Sequence, residues 1–114
     1  MAHLNTHVLD TSSGKPAARL RAVLSRAENS AVLADATTNA DGRLDKPLLD
    51  GGAFALENYE IAIPVGDYFR ARVAALDGPA FFDVVPARFA VAAGRDYHLS
   101  LLISSYGNST YRGI

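Results

Sequence analysis

Cysteine is absent from the 114 residues, and its absence removes three chemistries together: a disulfide framework, a thiolate nucleophile and a Cys-based zinc site. Runs of Lys or Arg are missing too. With a formal net charge of -1 and a pI near 6.3, the chain lacks the basic face that nucleic acid or an anionic membrane needs, so neither is an expected partner. No apolar stretch approaches a membrane span, and the opening MAHLNTHVLD carries no basic segment followed by an apolar one, which leads us to expect a cytoplasmic protein. There is no G-x-S-x-G elbow, no phosphate-binding glycine pattern and no H-E-x-x-H pair of metal ligands. TTNADG imitates the start of a calcium loop, but Thr37 stands where such a loop needs Asp and Leu48 where it needs a bidentate Glu. No metal is expected.

What remains is an ordinary globular composition, 49% apolar and 20% charged, at a length that suits one domain over residues 1–114. Two-residue periodicity dominates. In HLNTHVLD, Leu4, Thr6 and Val8 share one face and His3, Asn5 and His7 the other. SSGKPA then turns, and ARLRAVLSR alternates Leu20, Ala22 and Leu24 against Arg19, Arg21, Val23 and Ser25. TTNADGR is the strongest turn signal, because Asn, Asp and Gly accept the backbone angles of a tight reversal, and it delivers Arg43 directly after the bend. NYEIAIP and FFDVVPARFAV read as strands, the second with Ala87, Phe89 and Val91 on one face and an edge or bulge at Pro86. Between them VGDYFRARVAA has helical spacing, with Val65, Phe69, Val73 and Leu76 as its apolar stripe and Asp67 as its N-terminal signal. DYHLSLLIS sets Tyr97, Leu99, Leu101 and Ile103 against His98, Ser100, Leu102 and Ser104, and a turn at Tyr106 to Asn108 returns the tail as a last strand. The pattern predicts an all-β, antiparallel two-sheet sandwich of about seven to eight strands with one short helix.

Three polar residues are not required by that core: His7, Arg43 and His98. Both histidines lie on the polar faces of strands whose opposite faces are apolar, so they can project into one groove, though strand order is not contained in the pattern. Metal binding would need a third ligand, and His3 is a poor one.

The segments LNTHVLDTSSGKPA, TNADGR, YEIAIPVGDYF and YHLSLLISSYGNSTYRGI resemble those of the 5-hydroxyisourate hydrolases, the transthyretin-related proteins of purine degradation, over nearly the whole chain. The resemblance implies a homotetramer of transthyretin-like sandwiches with sites along the channel where two dimers meet. It also implies hydrolysis of 5-hydroxyisourate without a cofactor. His7, Arg43 and His98 match the family's catalytic residues; Tyr111, Arg112 and Gly113 match its C-terminal Tyr-Arg-Gly, and with Ile114 they are the expected substrate-binding tail. Three positions depart from the pattern: Ile114 replaces the usual terminal serine, and Ser100 and Ser105 stand where prolines are common. The chemistry suits the residues. Neutral imidazole can take a proton from water near neutral pH, and a guanidinium fork can hold the oxygens on which negative charge collects. Which histidine would be base and which acid is left open by the pattern. Transthyretin itself carries small aromatic ligands in the equivalent channel, so a carrier is the alternative; a carrier has no need of His7, Arg43 and His98 together.

Overall fold

The computed structural model describes residues 3–50, 57–72, 80–91 and 96–113. Strand β1 (His3–Asp10) buries Leu4, Thr6, Val8 and Asp10 and turns His3, Asn5, His7 and Leu9 outward. Seven further strands precede the tail: β2 (Lys15–Pro16), β3 (Arg21–Arg26), β4 (Val32–Thr37), β5 (Leu49–Asp50), β6 (Asn58–Ile63), β7 (Val85–Ala90) and β8 (Tyr97–Ser104). The tail is strand β9 (Gly107–Gly113), and helix α1 (Val65–Arg72) follows β6. Two sheets result. One runs β2-β1-β8-β9 with β5 also on β1, the other β4-β3-β6-β7, and the core between them includes Leu4, Val8, Leu24, Tyr59, Ile61, Phe69, Leu101 and Ile103.

The mainly β sandwich with one short helix is the architecture the sequence predicts, with one departure from an all-antiparallel arrangement. β1 and β8 pair in parallel, with Asn5 opposite His98 and His7 opposite Ser100. Parallel neighbours need a long crossover, and here the second sheet and the helix supply it. Thr6 Oγ1 donates to the Leu99 carbonyl at 2.8 Å, and the backbone N–H and hydroxyl of Thr11 both reach the Ile103 carbonyl. Register is firmly set. On β8 the inward Tyr97, Leu99, Leu101 and Ile103 are all buried, and each is worth about 1.5–3 kcal/mol when withdrawn from water. A one-residue slip would expose all four, so the outward direction of His98 is fixed by the core behind it.

Other boundaries differ in informative ways. β4 carries no strong alternation: Val32 is exposed and no residue of the strand is fully buried, so pairing with β3 defines it rather than its own pattern. FFDVVPARFAV starts its strand at Val85, because the Asp83 carbonyl is occupied by the N–H of Gly66. Pro86 lies on β7, an edge strand, as its missing donor requires. The helix begins at Val65, right after Pro64, so Asp67 sits in the first turn instead of capping it. Val65 and Phe69 are buried as expected, Tyr68 joins them, and Val73 and Leu76 lie outside the described residues. The last hairpin turns at Ser105–Tyr106, one step earlier than predicted, since Gly107 already pairs with Ser104.

Candidate active site

Arg43 is placed by a turn that only a few residue types could make. Asn39 Oδ1 accepts the backbone N–H groups of Asp41 at 2.9 Å and Arg43 at 3.2 Å, while Asn39 Nδ2 donates to Asp45 Oδ1. Gly42 has φ +73°, and a Cβ there would collide with the Val8 carbonyl oxygen, which makes glycine obligatory on two counts. The Gly42 carbonyl accepts the Val8 N–H at 2.9 Å, and Arg43 bridges to His7. The turn thus patches the free edge of β1 between β2 and β5. It sets Arg43 beside the outward face of that strand.

On the same face β8 contributes His98. The rings of His7 and His98 are diagonal neighbours across the parallel ladder, with centroids 6.4 Å apart and planes tilted by 43°. β9 closes the third side: Gly113 lies opposite His98 and Tyr111 opposite Ser100, while Arg112 has the register of Leu99. A cavity of about 530 Å³ opens here, and its wall includes Asn5, Arg43, Asp96, His98, Arg112 and Gly113. His7 meets that space through His98 rather than in its wall. A second groove of about 370 Å³ lies on the far side of β9, between Leu4, Phe89 and Leu99, with Tyr111 and Arg112 at its rim and His98 common to both.

The structure therefore brings His7, Arg43 and His98 together and adds Arg112 and Gly113, while Tyr111 stands half exposed at the neighbouring groove. Ile114 lies outside the described residues. Two wall residues, Asn5 and Asp96, are not among the site residues the sequence predicts. Asn5 carried a usable signal, because it shares the two-residue period of His7; Asp96, which accepts the His3 N–H at 3.0 Å, carried none.

Electrostatics favour a neutral His98. Burial pushes its imidazolium below the ordinary histidine range, and the charge of Arg43 and then the nearness of His7 push in the same direction. Among the described residues, neither Arg43 nor Arg112 forms an ion pair with a carboxylate, whereas Arg21, Arg26, Arg70 and Arg88 all do. A neutral base and two uncommitted guanidinium groups around an open cavity can move a proton and hold oxygen-centred negative charge.

Comparison with known proteins agrees with that architecture. The profile of the HIUase/Transthyretin family matches residues 4–113. A 5-hydroxyisourate hydrolase of Mesorhizobium japonicum is 52% identical over 112 residues, covering 96% of this chain and 90% of that one. Among solved structures, an (S)-allantoin synthase superposes with a TM-score of 0.91 at 38% identity, over 99% of this chain and 44% of that one. The 5-hydroxyisourate hydrolase of Klebsiella pneumoniae superposes with a TM-score of 0.84 at 32% identity and covers 100% of both chains.

Proposed function

The chain belongs to the HIUase/Transthyretin family, and on that premise we propose that it is a 5-hydroxyisourate hydrolase, active without a cofactor. The observation that carries the reading is the convergence on one cavity of His98 with Arg43 and Arg112, His7 standing 6.4 Å behind in ring contact. The relatives named hydrolases point to the same reaction.

In the proposed mechanism His98 is the base, since its neutral form is favoured and it lines the cavity. It takes a proton from water as the water oxygen attacks the lactam carbonyl. Negative charge collects on the carbonyl oxygen, where the Arg43 fork holds it. As the ring C–N bond breaks, the departing nitrogen takes up a proton, relayed from His98 or supplied by His7. Arg112, Gly113, Tyr111 and Ile114 form the substrate-binding side, Arg112 gripping the outer oxygens of the planar ring. A positioned base contributes about a hundred- to ten-thousand-fold, which is meaningful for a substrate that also decays unaided. The carrier alternative has the fold in its favour and no feature of the site.

We further propose a single domain over residues 1–114 that works in the cytoplasm as a homotetramer. The outer edge of β9, which no strand pairs with among the described residues, and the exposed Phe81, Val84 and Tyr106 support self-association, which sedimentation velocity would test. The activity is tested by following the ultraviolet decay of 5-hydroxyisourate freshly made by urate oxidase. Accelerated decay is expected; a rate equal to the spontaneous one, from folded protein, would overturn the proposal.

A further inference from the structure

Gly113 does not share the reason that makes glycine necessary at Gly42. Its φ lies outside the left-handed region, so an L side chain is conformationally acceptable there. Space is the constraint. A Cβ built on Gly113 would stand 2.7 Å from His98 Cδ2, 2.9 Å from Ser100 Oγ and 3.4 Å from His98 Cγ, and real Cβ atoms essentially never come closer than 3.0 Å. Directly across the ladder, then, the Cδ2 corner of the imidazole occupies the space a side chain on β9 would fill.

We infer that Gly113 is a positioning residue: by offering no side chain it leaves the space that the His98 ring occupies, and so sets where that ring presents its nitrogens to the cavity. This rests on the reading of His98 as the proton-transfer group. The colliding atoms belong to side chains, a ring that can swing about its χ angles and a hydroxyl at the end of a short rotor, and not to the backbone. A methyl group at this position therefore displaces the catalytic ring before it disturbs the sheet. Displacement by about 1 Å of a group in the reacting geometry is enough to cost about a hundredfold in rate. Gly107, at the other end of β9, is the natural control, because its Cβ would make only an ordinary 3.5 Å contact with Ser104 Oγ.

The test compares Gly113→Ala with Gly107→Ala and the unmodified chain. For Gly113→Ala we expect a folded protein, a kcat lower by about a hundredfold, a KM changed much less, and a kcat/KM profile whose acid limb moves towards the ordinary histidine value as the ring swings into water. Gly107→Ala should keep kcat within about twofold, having no contact that must shift. A Gly113→Ala enzyme with unchanged kcat and acid limb would overturn the inference, and so would an equal loss in both variants, which would mean only that β9 tolerates no alanine. NMR of the unmodified chain gives an answer that needs neither folding of the variant nor turnover. A nuclear Overhauser contact between the Gly113 α-protons and His98 Hδ2 is expected, and its absence overturns the placement. If the unmodified chain does not accelerate 5-hydroxyisourate decay, the proposed reaction fails by itself, while the NMR contact still reports on Gly113.

Discussion

Three residues apart on β1, His7 and Asp10 face opposite ways and sit in opposite kinds of polar surroundings. Around Asp10 every group is spoken for. Its Oδ1 accepts the N–H groups of Ser12 and Ser13, and its Oδ2 accepts the Tyr68 hydroxyl at 3.1 Å. Arg72 lies 3.8 Å over the Tyr68 ring and donates to the carbonyls of Tyr68 and Ala18. Burial, followed by the nearby Asp10 carboxylate, pushes the Tyr68 phenol up, so it stays protonated and donates. Around His7, Arg43 and His98 are held in place by backbone and turn geometry and line an open cavity. Saturated polar clusters lock helix to sheet; unsaturated ones, kept apart by a rigid frame, are free to bind and to react.

The contrast can be broken most sharply at His98. His98→Ala should lower kcat/KM by about a hundred- to ten-thousand-fold and leave the urea midpoint almost unchanged; a large loss of stability would place His98 with the structural cluster. Next comes Arg43→Lys, which keeps the charge and removes the fork. We expect a loss of about a hundred- to a thousandfold in kcat, measured by the same ultraviolet decay. The pH profile sharpens the point further. His98 acts unprotonated and its pKa is lowered by burial, Arg43 and His7, so the midpoint of the acid limb of kcat/KM should lie below the ordinary histidine value, with the rate falling about tenfold per unit on the acid side. A profile still climbing above neutrality would assign the base elsewhere. On the opposite face Tyr68→Phe should do the reverse of His98→Ala, costing about 1–3 kcal/mol of stability by leaving Asp10 Oδ2 without its donor, with kcat retained. The smallest effect belongs to Arg21→Ala, since the Arg21–Asp35 pair is exposed to solvent and screened; thermal melting should barely move.

Much of the frame was legible because a two-residue period is a local property. The alternation of β1, β3 and β8 gave both those strands and the outward direction of His7 and His98. β4 was not legible, as alanines and one exposed valine supply little contrast between its faces. The turn at Asn39 to Gly42 was legible in its chemistry, and from it the placement of Arg43. What the pattern could not contain was the meeting of His7 with His98, which depends on a parallel pairing between the first long strand and the eighth. Tyr68 was missed for a related reason: its partner Asp10 is 58 residues away, and helical spacing alone credits an aromatic residue only with packing.

That parallel pairing also sets a timetable. The Thr6 hydroxyl must find a carbonyl 93 residues further along the chain, and a ribosome adding about 5–20 residues per second needs roughly 5–20 s to supply it. During that interval one edge of β1 can be covered by β2, the Arg43 turn and β5, while the edge meant for β8 stays open. The reactive cluster is therefore the last part of the molecule to exist. Turnover in a cell extract would count finished and correctly closed chains, not merely chains begun.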